Sequence, residues 1–90
     1  LQSIKEQLLI PDYEGLSLNY WIIGNIFLKN STFSDAEFWL LRGVEMAEKV
    51  KSKKNLSKIY LSLKEAHAGM NDYKKALEYQ EMYSILKDTM

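Results

Sequence analysis

The 90-residue chain contains no cysteine, which excludes disulfides, zinc knuckles and thiol catalysis. It has one proline and four glycines, too few for a protein built from many strands and tight turns. Its formal net charge at pH 7 is zero, which argues against a nucleic-acid or anionic-membrane surface as its main function. No apolar run reaches the ~20 residues that a membrane-spanning helix needs. We therefore expect no nucleic-acid binding and no membrane insertion by this segment.

What is present is consistent with one small domain, since apolar residues make up 47% of the chain, enough for a core. The charges are unevenly distributed: residues 1–45 contain three Lys or Arg and six Asp or Glu, and residues 46–90 contain nine and six. Halves of opposite sign indicate either ordinary solvated faces or head-to-tail stacking of neighbouring molecules. Leu1 is not an initiator methionine, so we expect a longer parent protein. A cytoplasmic and a periplasmic location both remain open.

Apolar side chains recur every three or four residues, which is the period of an amphipathic helix. The pattern predicts helices at about 16–29, 33–50, 55–69 and 72–89. Asn30 is expected to take the left-handed conformation that ends many helices, and Thr32 with Asp35 is similar to a capping box. Pro11 is expected to stop a helical tail formed by residues 1–10.

A shift of forty residues superposes the two predicted helix pairs. Identical residues in this register are Leu16 and Leu56, Ser17 and Ser57, Tyr20 and Tyr60, and Ala36 and Ala76. These matches lie at positions where helices would touch, as in repeat proteins. We therefore expect two helix-pair repeats, residues 12–50 and 55–90, preceded by the end of an earlier repeat at residues 1–10.

The segments YWIIGNIFLKNSTFSDAEFWL and YLSLKEAHAGMNDYKKALEY place large aromatic and small residues at recurring positions. This pattern resembles the tetratricopeptide repeat, a helix–turn–helix unit of about 34 residues. The resemblance implies an all-α fold, an α–α superhelix of antiparallel helix pairs. The residues that it assigns to packing are Tyr20, Ile23, Gly24, Phe27, Phe33 and Ala36 in the first repeat, and Tyr60, Leu63, His67, Tyr73 and Ala76 in the second.

The packing positions have a physical explanation, because two antiparallel helices approach closely only where a small side chain faces a bulky one. We expect Gly24 to provide that room in the first repeat. In the second repeat we expect Tyr73 to wedge between the helices of its own repeat, while Ala76 lets them close. This repeat departs from the family pattern, since Lys64 replaces the expected glycine and His67 the expected tyrosine.

The first helix of each pair lines the concave surface of such a superhelix, so the resemblance implies a groove that binds a protein or peptide. The residues that it places there are Leu18, Trp21, Asn25 and Lys29 in the first repeat, and Lys58, Leu61, Ser62 and Glu65 in the second. Trp21 has two interpretations, a peptide anchor in the groove or a residue packed against the preceding repeat.

Residues suited to catalysis or metal binding are few, and His67 is the only histidine. Ser62, His67 and Asp72 have the composition of a catalytic triad, but steps of five residues along a helix turn the side chains apart. Glu65, His67 and Asp72 lack metal-ligand spacing. We therefore expect no enzyme activity, no cofactor and no metal in this segment, and interpret His67 as a packing residue.

Five lysines lie close together between the repeats: Lys49, Lys51, Lys53, Lys54 and Lys58. They indicate either contact with nucleic-acid or lipid phosphates or a solvated turn. No aromatic residue is interleaved with them in the sequence, which favours the solvated turn.

The forty-residue stride is similar to that of tetratricopeptide sensor regions in bacterial histidine kinases and helix-turn-helix regulators, especially those of Bacteroidetes type. The resemblance implies a signal-sensing segment of a sensor kinase or transcriptional regulator; the alternative is a scaffold or assembly adaptor without a signalling role. The last helix carries several apolar residues: Tyr79, Met82, Tyr83, Ile85 and Leu86. We expect a further repeat or a second copy of the chain, forming a homo-oligomer, to cover them.

Overall fold

The computed structural model describes residues 11–89, and this range contains four α-helices and no strand. The helices are α1 (Tyr13–Lys29), α2 (Phe33–Lys49), α3 (Lys53–Gly69) and α4 (Tyr73–Thr89). The all-α prediction is confirmed. The first and third helices begin at residues 13 and 53, earlier than the predicted 16 and 55. The tail helix predicted for residues 1–10 lies outside the described residues.

Three similar turns connect the helices, so that each helix begins twenty residues after the previous one. One residue in each turn has a left-handed backbone: Ser31 (φ 60°), Lys51 (φ 53°) and Asn71 (φ 63°). The following N–H bonds to a carbonyl five residues back, as Thr32 N donates to Phe27 O at 2.9 Å, which is a Schellman helix end. Because Asn30 has φ −89°, the prediction that it takes the left-handed conformation is wrong.

Short polar side chains begin three of the helices. Oδ1 of Asp12 accepts from Gly15 N at 3.0 Å, Oγ of Ser52 from Asn55 N at 3.3 Å, and Oδ1 of Asp72 from Lys75 N at 3.3 Å. Thr32 differs because its hydroxyl donates to the Phe27 carbonyl at 3.0 Å and makes no capping bond. The predicted capping box of Thr32 with Asp35 therefore does not form.

The helices form an open array. α1 packs against α2 and α3 against α4, each pair antiparallel because its connecting turn is short. α3 also packs against α1 and α2, whereas α4 contacts only α3 among the described helices. The overall extents are 51 × 31 × 14 Å. A bundle around a single axis would bring α4 against α1 as well, so this arrangement is a flat, sequential stack.

Small residues set how closely the helices approach. The core consists of Ala36, Leu40, Ala47, Leu56, Ile59, Leu63 and Ala66. Gly24 of α1 is buried, and a Cβ placed on it would lie 2.5 Å from Cγ of Leu40 in α2. A Cβ on Gly43 would lie 3.2 Å from Cδ1 of Ile59 in α3. The absent side chains therefore let bulky residues of the facing helix fill these places.

The predicted packing residues occupy different environments. Gly24, Ala36, Leu63, His67 and Ala76 are buried, and Tyr20, Ile23, Phe27, Phe33 and Tyr60 are half-buried. Tyr73 is 66% exposed, so the prediction that it wedges between the helices of its own repeat is wrong. Its hydroxyl donates to Oδ1 of Asn71 at 3.0 Å, which keeps the ring beside the turn. Phe33, its counterpart forty residues earlier, lies against Gly69 of the next pair, so this position packs between pairs.

The last helix is covered in part by its own chain. Tyr79 and Leu86 pack against the core, so the expectation that they need a cover from outside is wrong. Tyr83 is half-buried. Met82 and Ile85 are 42% and 64% exposed, and for them the expectation of an external cover stays a prediction.

We expect Gly24→Ala to destabilise the fold. The new methyl group would overlap the buried Leu40 side chain, and overpacking of this kind costs about 1–3 kcal/mol, against about 1 kcal/mol regained from the helix propensity of alanine. Gly43→Ala is the comparison variant and should cost less, because its methyl group would lie 3.2 Å from the end of the Ile59 side chain and 3.3 Å from the Ser17 carbonyl oxygen, whereas the Gly24 methyl group would lie 2.5 Å from Cγ of Leu40. Urea unfolding midpoints compare the two. A Gly24→Ala protein at least as stable as Gly43→Ala contradicts the prediction.

Candidate recognition surface

The seam between α1 and α3 joins four of the residues predicted to line the groove. Trp21 Nε1 donates to Ser62 Oγ at 3.0 Å, and Ser62 Oγ donates to Asn25 Oδ1 at 2.9 Å. The Lys58 ammonium lies over the Trp21 ring, 5.4 Å from its centroid. We call Trp21, Asn25, Lys58 and Ser62 the seam cluster. Each helix contributes two residues to the cluster, and the hydrogen bonds between them fix the position of α1 relative to α3.

The chemistry of the seam cluster sets the direction of its hydrogen bonds. An indole N–H is only a donor, so Ser62 must accept from Trp21 and use its own proton toward Asn25. Oδ1 of Asn25 therefore faces Ser62, and its NH2 group is the part that remains for another molecule. Trp21 is half-buried and packs against the core, so it takes part in the contact with the following pair, a role that the sequence alone did not predict.

The other four predicted groove residues lie on the same two helices but outside the seam cluster. Leu18 is half-buried, Lys29 and Glu65 are exposed, and Leu61 is 38% exposed. Within residues 11–89, neither the Lys29 ammonium nor the Glu65 carboxylate makes a hydrogen bond or an ion pair. These two charged groups are therefore open to solvent or to a partner.

A second polar contact across the same seam was not predicted. Nδ2 of Asn55 donates to Ser17 Oγ at 2.9 Å, and Ser17 Oγ donates to the Glu14 carbonyl at 2.7 Å. Asn55 and Ser17 are 2% and 0% exposed. Buried polar groups of this kind must be paired to avoid a large desolvation cost. The signal in the sequence was Ser17, identical to Ser57 in the forty-residue register, but that match indicated only the repeat.

His67 lies between two carboxylates rather than in a catalytic arrangement. Its Nε2 is 2.8 Å from Oε2 of Glu37 and its Nδ1 is 3.3 Å from Oδ2 of Asp72, but neither contact has the angle of a hydrogen bond. The expectation that His67 and Asp72 diverge is wrong, because the left-handed turn at Asn71 brings Asp72 back over the helix end. Ser62 bonds on the other side of α3, within the seam cluster.

Aromatic rings surround His67 on the side of the second helix pair. The imidazole stacks on the Tyr79 ring with centroids 5.4 Å apart, and Tyr79 lies 5.9 Å from Tyr60. Burial raises the pKa of both phenols; nearby Glu48 adds to the rise for Tyr60, and nearby Glu37 for Tyr79. No group of three or more His, Cys, Asp or Glu suited to a metal ion is found among residues 11–89.

Two of the five clustered lysines lie over aromatic rings. Besides Lys58 over Trp21, the Lys49 ammonium lies 5.3 Å from the centroid of Tyr13. No aromatic residue is interleaved with these lysines in the sequence, but in the folded chain α1 brings aromatic rings beside two of them. The other side of the cluster borders a shallow cavity of about 400 Å³, lined by Glu48, Lys51, Lys53, Leu56 and Leu86.

Comparison with protein-family models, curated proteins and solved structures finds no match to this chain. None of the helices among the described residues is both long enough and apolar enough to span a membrane.

We expect Ser62→Ala to destabilise the protein by about 1–2 kcal/mol, because Trp21 loses its acceptor and Asn25 its donor in a half-buried site. Ser57→Ala is the matched control: Ser57 is equally buried on α3, but its hydroxyl bonds only to the Lys54 carbonyl of its own helix. Urea unfolding measures stability, and the indole N–H resonance of Trp21 reports the lost bond. Equal stability of the two variants and an unmoved resonance would disprove this.

We also expect an alkaline loss of stability that depends on Tyr60 and Tyr79. Because the folded-state pKa of each phenol lies above the ordinary value of 10.0, their contribution is fully present below pH 10 and disappears as the pH rises through the folded-state pKa values. The Tyr60→Phe/Tyr79→Phe double variant lacks these two titrations. Urea midpoints from pH 8 upward should therefore fall less steeply for the double variant than for the unsubstituted 90-residue chain. Parallel curves would refute the prediction.

Proposed function

We propose that this chain is a tetratricopeptide-type array that recognises an extended peptide along α1 and α3. The observation that carries the proposal is the pattern of helix contacts. The first helices of the two pairs, α1 and α3, touch each other, whereas the second helices, α2 and α4, do not. A stack that is closed on one side and splayed on the other curves toward the closed side, which supports a concave face made by α1 and α3.

The exposed chemistry of that face suits a peptide. The NH2 group of Asn25 can donate to a backbone carbonyl, Leu61 offers an apolar contact, and Lys58 and Glu65 carry opposite charges two turns apart on α3. Binding sites commonly combine apolar contacts with a few oriented polar groups that give specificity. Trp21 supports this face from within the seam instead of projecting as an anchor.

We further propose that the array is the recognition segment of a larger bacterial regulatory protein, a sensor kinase or a transcriptional regulator. This rests on the forty-residue stride, which the helix starts at Tyr13 and Lys53 reproduce, and on the family resemblance. A scaffold protein would have the same groove. The two roles are therefore distinguished by whether the parent gene also encodes an output domain.

The test is selection from a display library of linear peptides against the immobilised 90-residue chain. We expect a selected peptide to bind Lys58→Glu/Glu65→Lys about tenfold more weakly, since about 1.4 kcal/mol of complementary contact is lost. The control, Glu45→Lys/Lys74→Glu, makes the same charge changes on exposed positions of α2 and α4 and should retain the parent affinity. Equal affinities for the two double variants, or a library that yields no binder, would count against the groove.

A further inference from the structure

Helix α1 exposes apolar side chains at positions whose counterparts in α3 are buried. Ile22 and Ile26 are 50% and 53% exposed. Their counterparts forty residues later, Ser62 and Ala66, are 6% and 0% exposed because α3 packs against the preceding pair. The α1 surface around Ile22 and Ile26, which we call the leading face, therefore has the position of an inter-pair contact but is not covered by residues 11–89.

The opposite end of the array exposes the matching positions. Leu61 of α3, and Tyr73 and Leu77 of α4, are 38%, 66% and 60% exposed. Their counterparts forty residues earlier are Trp21, Phe33 and Glu37, and each of these contacts α3: Trp21 bonds Ser62, Phe33 lies against Gly69, and Glu37 meets His67. We call the surface formed by Leu61, Tyr73 and Leu77 the trailing face.

The contact inside the chain is a template for joining a trailing face to a leading face. Suppose that α1 of a second copy packs on α3 and α4 of the first copy in the way that α3 packs on α1 and α2. Each contact residue of the first pair is then replaced by the residue forty positions later in the first copy. Each contact residue of the second pair is replaced by the residue forty positions earlier in the second copy. The Trp21–Ser62 hydrogen bond becomes a contact between Leu61 and Ile22 of the second copy. A polar pair is thus replaced by an apolar one.

The same replacement occurs at the contact between Glu37 and His67. The contact between Glu37 and His67 becomes a contact between Leu77 of the first copy and Phe27 of the second copy, which is an aliphatic side chain against a half-buried aromatic ring. At these two places the joined faces would put apolar side chains together where the internal contact puts polar ones. Burial of such surface contributes about 25 cal/mol per Å².

Charge favours the same partner. Residues 1–45, which include the leading face, contain three Lys or Arg and six Asp or Glu, and residues 46–90, which include the trailing face, contain nine and six. Like halves would repel, whereas the first half of one molecule attracts the second half of another.

We propose that a second copy of this chain binds head to tail, with its leading face on the trailing face of the first copy. This is a heterologous contact, in which each molecule uses two different surfaces, and it extends into open chains unless the rotation closes a ring. It does not require a peptide in the groove, and Leu61 is the one residue that the two proposed surfaces share.

The test uses two blocked variants of the full 90-residue chain, studied by sedimentation velocity over a range of concentrations. Ile22→Lys blocks the leading face and Leu77→Lys the trailing face, and because both positions are at least half exposed, circular dichroism should show unchanged helix content. The control is Met82→Lys, also on α4. Its counterpart Arg42 lies over the Tyr20 and Phe38 rings of its own pair, away from the proposed contact.

We expect the parent chain and Met82→Lys to form species that grow with concentration, and each blocked variant alone to be a monomer. An equimolar mixture of the two blocked variants should form a one-to-one dimer, because one retains the trailing face and the other the leading face. A dimer lost in Leu77→Lys but kept in Ile22→Lys, with no rescue on mixing, would indicate a symmetric contact between α4 helices and overturn the proposal. A parent chain that stays monomeric, as expected if residues 1–10 cover the leading face, would also overturn it.

Discussion

The insertion of α3 against both α1 and α2 is the contact on which the rest of the structure depends. Leu40 of α2 and Ile59 of α3 are completely buried there, and the end of the Ile59 side chain lies beside Gly43. The position of α4 follows from that of α3, since α4 contacts no other described helix. Without this contact the chain would be two separate helix pairs, and a unit of that size buries too little apolar surface to be stable.

Polar groups give this contact its register. The Asn55–Ser17 bond and the seam cluster lie about two turns apart along the same pair of helices. A slide of α3 by one turn would leave both sets of buried or half-buried donors without acceptors, at a cost of about 1–3 kcal/mol for each unpaired group. Apolar packing between α2 and α3 accommodates such a slide more easily, because it is not directional. Stability and register therefore come from different sides of α3.

Periodicity and self-similarity predicted the helices, the forty-residue stride and the small residue Gly24, because these are local or repeated properties. They did not predict which neighbour a side chain contacts. Tyr73 is exposed, and its counterpart Phe33 packs against Gly69 of the next pair, because a helical stripe does not say whether its partner lies in the same pair or the next. The rule that side chains five residues apart on a helix diverge does not apply to His67 and Asp72, because the turn at Asn71 lies between them. In the seam cluster, the bond from Trp21 to Ser62 spans 41 residues and depends on the axial shift between two helices, which no local pattern records.

The difference between the internal seam and the two outer faces has a physical logic. Inside the chain the two pairs are joined by a three-residue turn, so their association loses little translational freedom and the seam can consist of polar pairs that add register more than affinity. Two separate molecules lose several kcal/mol of translational and rotational freedom on association, and burial of apolar surface is the main favourable contribution that offsets this loss. The sequence differs in the corresponding way: Ser62 and His67 inside the chain correspond to Ile22 and Phe27 on the leading face. Replacement of polar by apolar residues at matched positions is therefore what an intermolecular version of the same contact requires.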